Sequence, residues 1–350
     1  MRGKLIKIIR SIIFVLILLM LVSIYSFATE AAAGEKEPIT LVLADTGGGP
    51  NDPLTVSGIA WKEAIEELSN GEIIVNYFSQ HQLGSERDLW EGVGLGTIDM
   101  TIGSTGYAGN LVPELAVINL PFLFLNRKHC EEVELGPLGE ELVSYIDKAE
   151  GANLKGLALG GAGWRMPMNK KRAIKTTADF KGLKFRTMEV PMHLDTYRAM
   201  GAKPIPVASA EVYTALQLGT VDGQEMPPSM SYARGFHEVS KYLTTLPVFL
   251  NGDVYIINKE KYESLSSEHQ KVLRDSAKIA LLALNQSFED NYEKAVNAIE
   301  EYGLEVYRIS VAEMQPFIDS SQVVWDKYLE QFPKRIKEIA LEIKKLGEKY

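Results

Sequence analysis

Two arginines set among glycines and short apolar runs are the residues of this sequence best suited to chemistry, and that chemistry is recognition of an anion. Arg165 follows a stretch containing Gly160, Gly161 and Gly163, and Arg186 ends the segment 183–186. A guanidinium presents a planar fork of N–H donors that matches a carboxylate through two parallel hydrogen bonds, and it keeps its charge. On an open α/β sheet both arginines fall beyond the carboxyl ends of strands, where such sheets bind ligands. The plain alternative for each is a solvated surface arginine. Reaction chemistry finds less support. The sequence has no G-x-S-x-G elbow, no H-E-x-x-H, no C-x-x-C and no Walker loop. The glycines at 92, 94 and 96 lack dinucleotide-binding spacing and fall inside a helical stretch. His81, His129, His193, His237 and His269 are scattered without metal-ligand spacing. His129 stands beside Cys130, and neighbours in sequence rarely point together as nucleophile and base. No catalytic residue, cofactor or metal site is expected.

Strands and helices must hold those arginines. Residues 39–44 read as a first strand, and 46–53 (TGGGPNDP) as a Gly/Pro loop. A helix with Trp61, Ala64, Ile65 and Leu68 on one face stops at Gly71, and 72–78 reads as a strand. Ser85 caps a helix that runs to Leu95 and ends at Gly96. Residues 97–102, 153–159, 183–186 and 254–257 are further short strands, with a turn over Gly160–Gly163. This alternation predicts a largely parallel sheet with helices on both faces. Leu95-Gly96-Thr97-Ile98-Asp99 is echoed by Leu218-Gly219-Thr220-Val221-Asp222, each after a helical stretch, which supports two lobes. After Ser266 and Ser267, an apolar stripe recurs in steps of three and four: Leu273, Ala277, Ala280, Leu281, Leu284, Phe288, Tyr292 and Val296. A helix reaching about Glu301 is longer than one small domain needs and suits an element spanning both lobes. From Val311 onward the pattern is that of helices packed on the outside.

The N-terminus bears on the compartment. Arg2, Lys4, Lys7 and Arg10 precede an almost wholly apolar stretch, 12–24, and Ser26 and Ala28 then supply small residues at signal-peptidase spacing. A signal peptide cleaved after Ala28 is expected, with an uncleaved anchor as the alternative. Cys130 is the sole cysteine, so no intramolecular disulfide forms. Residues 29–38 read as a polar linker, and the remainder is long enough for two compact units. Removal of the first 28 residues moves the formal charge from −9 to −13. That balance argues against nucleic acid or an anionic membrane surface as partner. A few local arginines can still hold a small anion.

Several stretches together resemble a known family. They are Gly163-Trp164-Arg165, Lys181-Gly182-Leu183-Lys184-Phe185-Arg186, Glu211-Val212-Tyr213-Thr214-Ala215-Leu216-Gln217 and Val221-Asp222-Gly223-Gln224-Glu225. Gln82 to Arg87 and Leu250-Asn251 fit the same pattern. In order and spacing they are similar to the DctP-type solute-binding proteins of TRAP (tripartite ATP-independent periplasmic) transporters. The resemblance implies a two-lobed periplasmic-binding-protein-like α/β fold that closes on an organic acid, with crossing strands and a long helix joining the lobes. It implies that Arg186 makes the principal bidentate contact to the ligand carboxylate and that Arg165 supports it. Thr46, Glu86, Ser104, Thr105 and Asn251 match positions that line the cleft. The implied partners are a small-molecule carboxylate and the small and large membrane subunits of the transporter, and the implied location is periplasmic or otherwise extracytoplasmic. The expected lobes are 39–162 plus 252–290 and 163–251 plus 291–350.

Two departures bear on the ligand. Val190 and Met226 stand where relatives commonly carry asparagine, and Met188 lies near the first. Lost amides disfavour a heavily hydroxylated ligand, if both positions face it. Two functions of other classes fit the same scaffold, a ligand sensor for a receptor and a secreted enzyme. The second lacks an evident pair of reacting groups.

Overall fold

A computed structural model of the chain describes residues 37–350, together with Met20. The expected signal peptide, Met20 aside, and its cleavage point lie outside the described residues. Among the described residues ten strands carry the fold: β1 (Ile39–Ala44), β2 (Ile73–Phe78), β3 (Met100–Ser104), β4 (Leu154–Asn169), β5 (Lys184–Thr187), β6 (Lys203–Pro206), β7 (Gly223–Met226), β8 (Tyr242–Thr244), β9 (Phe249–Asn258) and β10 (Glu305–Tyr307). Their order is β2-β1-β3-β9-β4-β7-β5-β6, with β8 joining β4 to β10.

The sheet is mixed, which corrects the expectation of a largely parallel one. β1 pairs parallel with β3, and β5 parallel with β6 and β7. The two longest strands run the other way: β9 is antiparallel to β3 and β4, and β4 is antiparallel to β7. β9 is buried along its whole length, and burial on both faces erases the alternation that marks many antiparallel strands. β4 and β9 therefore cross from one half of the sheet to the other. β4 does not stop at Leu159 but runs on to Asn169, 16 residues in all, with a register shift between Gly160 and Gly163. Glycine is needed there for space. A Cβ on Gly161 would lie 2.2 Å from the Asn251 carbonyl oxygen, and one on Gly163 would lie 2.6 Å from the Phe288 ring.

Local signals fix the helices. Asp52 caps Pro53–Leu68 by accepting from the Leu54 N–H. Trp61, Ala64 and Ile65 are buried as expected, whereas Leu68 is largely exposed at the last turn. Ser85 and Asp88 form a capping box on Glu86–Leu95. Gly96 and Gly219, the glycines of the internal echo, end their helices in the left-handed conformation, each at φ 75°. The Thr97 and Ile98 N–H groups then bond to the Gly92 carbonyl, so β3 begins at Met100 rather than at Thr97.

The helix Ser267–Tyr302 is capped by Ser266 and ended by Gly303 at φ 115°. It packs along Pro53–Leu68, then across β4, then on the helix Pro228–Ala233 and β10. It thus spans both halves of the sheet. Leu273, Leu281, Leu284 and Phe288 are buried beneath it, each contributing about 1.5–3 kcal/mol. One apolar cluster gathers Trp90, Ile118, Cys130 and Leu154. A second gathers Phe180, Phe185, Tyr197 and Phe249. The helix Val311–Gln331 starts in the second cluster with Phe317 and reaches the first with Trp325. Ile336, Ile339 and Ile343 of the last helix, Lys334–Gly347, also pack in the first.

Candidate functional site

Where β4 and β9 cross, a cavity of about 230 Å³ opens between the two halves of the sheet. Thr46, Glu86, Ser104, Arg165, Arg186, Val190, Met226 and Asn251 all line it. Thr105 does not. Its hydroxyl donates to the Gly252 carbonyl at 3.2 Å, which ties the first turn of the helix Thr105–Leu111 to the crossing strand.

Both arginines lie within strands, Arg165 in β4 and Arg186 in β5, not beyond strand ends. The crossing strands run alongside the cleft, so side chains from strand interiors reach it. Arg165 is committed to its neighbours. It donates from Nε to the Glu225 carboxylate, from Nη2 to Glu225 Oε1 at 3.2 Å and to the Glu225 carbonyl at 3.0 Å, and from Nη1 to Asn251 Oδ1 at 2.5 Å. Burial acts to raise the Glu225 pKa, but the Arg165 charge beside it prevails and holds the carboxyl at about 2. His193 stacks on Phe249 behind this pair, with ring centroids 3.9 Å apart, and burial keeps its pKa below the ordinary value.

Arg186 is different. It is only 2% exposed, yet among the described residues it donates a single bond, from Nε to the Val207 carbonyl at 2.9 Å. Its Nη1 is buried without a partner among the described residues. Burial lowers its pKa to about 10, against the attraction of Glu225, and Arg165 and Arg234 push the same way as burial. A guanidinium so enclosed wants an anionic partner.

The opposite wall carries acceptors and small polar groups. Glu86 Oε1 accepts from the Ser104 N–H at 2.6 Å, and the Ser104 hydroxyl caps the next helix through the Tyr107 N–H. Asn251 Nδ2 donates to Asp253 at 3.3 Å. Burial, helped by the Glu86 charge, raises the Asp253 pKa well above the usual carboxylate range, a direction that favours its protonated form. Met188, Val190, Met226 and Met230 form an apolar side.

Sequence reasoning passed over Asp253, Glu225 and Arg234. Asp253 could have been found, since it lies two residues after Asn251 in a strand and so shares its face. Glu225 was within a quoted motif without a role. Arg234 has no local signal, for it follows a short helix, Pro228–Ala233, and meets its partner 182 positions away.

A cleft between two α/β halves, joined by crossing strands and holding an unpaired buried cation, is the architecture of a binding protein that shuts around its ligand. The chain belongs to the DctP family, bacterial extracellular solute-binding protein family 7, whose model matches residues 47–331. It is 31% identical to the 2,3-diketo-L-gulonate-binding periplasmic protein YiaO of Escherichia coli over 317 residues, 90% of this chain and 93% of that one. A TRAP periplasmic solute binding protein from Bordetella bronchispeptica, with density interpreted as pantoate, matches at 31% identity and a TM-score of 0.81. That match covers 86% of this chain and 98% of the other. Another from Polaromonas sp. JS666, bound to D-erythronate, matches at 30% identity and a TM-score of 0.81, covering 87% and 98%. The resemblance drawn from the sequence and the two-lobed fold it implied both hold.

Proposed function

We propose that this chain captures a small organic acid outside the cytoplasm, holds its carboxylate on Arg186, and delivers it to the membrane subunits of a TRAP transporter. The observation that carries this reading is Arg186 itself, a buried cation on the wall of a 230 Å³ cavity with donors left over. The ligand carboxylate takes those donors. Arg165, fixed by Glu225 and Asn251, has one Nη1 hydrogen left to share. Glu86, Asp253 and Ser104 meet a hydroxyl near the acid, and Met188, Val190 and Met226 cover a sparsely hydroxylated tail. The ligands named for the three relatives above, 2,3-diketo-L-gulonate, pantoate and D-erythronate, are carboxylates with hydroxyl or keto groups, which agrees with this division. Export by the basic and apolar N-terminal segment brings the protein to that compartment, and no catalytic step is assigned to the cleft. The moving bodies are 39–162 plus 252–290 and 163–251 plus 291–350, and Lys327 and Tyr328 of the C-terminal part bond to Asp195 of the second body.

The test is thermal denaturation against a panel containing pantoate, D-erythronate, 2,3-diketo-L-gulonate and galactonate, with uncharged polyols as controls. An acid at about a hundred times its Kd stabilises the folded state by about 2.7 kcal/mol. A rise with at least one acid and none with the polyols is the expected outcome. A panel in which no acid raises the midpoint overturns the proposal.

A further inference from the structure

The glycine-rich loop after β1 has no role in holding the carboxylate, yet it is built with care. The Gly47 N–H donates to Asp45 Oδ1 at 2.8 Å, and the Gly48 N–H donates to Asp52 Oδ2 at 2.9 Å. A Cβ on Gly48 would lie 2.5 Å from Cγ of Arg234 and 2.9 Å from Asp52 Oδ2. Gly48 has no left-handed backbone to explain it, so the space it leaves is what matters. Arg234 fills that space from the other half of the sheet. It follows the helix Pro228–Ala233, beyond β7, and reaches across the cleft to donate from Nε to Asp52 Oδ2 at 2.8 Å. Ser209, on its own side, holds Nη1 at 2.9 Å. The pair is enclosed, with the Arg234 side chain 9% exposed and that of Asp52 not at all. Nη2 is buried, has no partner among the described residues, and belongs to a residue on the cavity wall.

From this arrangement we infer that Arg234 is a latch, seated in the glycine loop and paired with Asp52, that holds the cleft shut on its ligand. The inference rests on the solute-binding reading above. An ion pair taken out of water nearly balances its own desolvation, so the latch alone leaves the open and shut forms close in free energy. A ligand oxygen that satisfies Nη2 supplies the difference, and closure then follows occupancy. The latch contributes to how slowly ligand leaves, since an encounter with the open cleft precedes it.

Three variants test this: Arg234→Gln, Asp52→Asn, which keeps an acceptor for the Leu54 N–H, and Gly48→Ala, which blocks the seat while leaving both charges. Each is first shown by circular dichroism to be folded. Association and dissociation of pantoate or D-erythronate, whichever binds wild type more tightly, are then followed by stopped-flow fluorescence. The expected result is dissociation at least tenfold faster in all three, association within about threefold of wild type, and a double variant Asp52→Asn/Arg234→Gln no worse than the poorer single one. Dissociation at the wild-type rate in the folded variants overturns the latch, as does a double variant whose effect is the product of the two. Dyes attached at Glu67→Cys and Lys203→Cys, both exposed, give a readout that needs no ligand. A smaller short-distance population in Arg234→Gln than in wild type supports the latch, and identical distributions overturn it. Failure of every acid to bind wild type would overturn the solute-binding reading separately.

Discussion

Replacing Arg186 by methionine should weaken acid binding by roughly 30-fold or more and, in the same protein, raise the stability of the ligand-free fold. The two effects come from one fact, the burial of a charge without a counter-ion. The folded pKa is about 10 against an ordinary value of 12.5. For a base, that direction means the folded state holds its proton less tightly than the unfolded state does. Below pH 10 both states are protonated, so the cost to the fold is fully present at neutral pH. It is relieved only as the pH rises above the folded value. A shift of this size corresponds to roughly 3 kcal/mol. Methionine fills much of the same space, removes that cost, and loses the bond to the Val207 carbonyl, worth about 1 kcal/mol. The net gain of about 2 kcal/mol raises the melting temperature by roughly 3 °C in a chain of this length. Binding moves the opposite way. Truncating one partner of a buried, hydrogen-bonded charge pair costs about 2–5 kcal/mol, or roughly 30- to 5,000-fold in affinity. Scanning fluorimetry without ligand and calorimetry with ligand measure the two halves. Wild-type affinity in Arg186→Met would refute the carboxylate assignment. A fall of several degrees in its ligand-free melting temperature would refute the buried-charge argument, since the guanidinium would then be stabilising.

Two further outcomes follow from the cleft and its hinge. Burial raises Glu134 from 4.5 to about 8, although it accepts from the Gly161 N–H at 2.6 Å and from Asn285 at 3.2 Å. For an acid so raised, stability is full below pH 4.5 and is lost as the pH climbs through 8. Glu134→Gln keeps the Gly161 bond and offers an N–H to Asn285 Oδ1, which has no partner among the described residues. Its melting temperature should therefore fall less than that of wild type between pH 5 and 8.5, and parallel profiles would count against the buried acid. At the ligand's tail, a hydroxyl set against Met226 loses its water partners at a cost of about 1–3 kcal/mol. Pantoate should outcompete galactonate on wild type and lose that advantage on Met226→Asn, measured by competition calorimetry. An unchanged preference would show that Met226 does not face the ligand.

The sequence alone determined what local chemistry can specify. Ser85, Ser266, Gly96, Gly219 and Gly303 fix helix ends because caps act on the nearest turn. The stripe from Leu273 to Val296 fixes the long helix because one buried face repeats at helical spacing. The order of the motifs around Arg165 and Arg186 named the family, and eight of the nine residues expected in the cleft line the cavity. Tertiary structure alone decided the rest. Nothing near Arg186 in sequence says that it is buried rather than solvated, because its enclosure comes from β6, β7 and the segment after β6 closing around β5. Glu134 meets Gly161 and Asn285 only because β4 continues past its glycines and the long helix crosses it there. Arg234 and Asp52 become partners only when the crossing strands bring the two halves of the sheet face to face. Such contacts depend on strand direction and order, and fully buried strands such as β9 carry no alternation from which direction could be read.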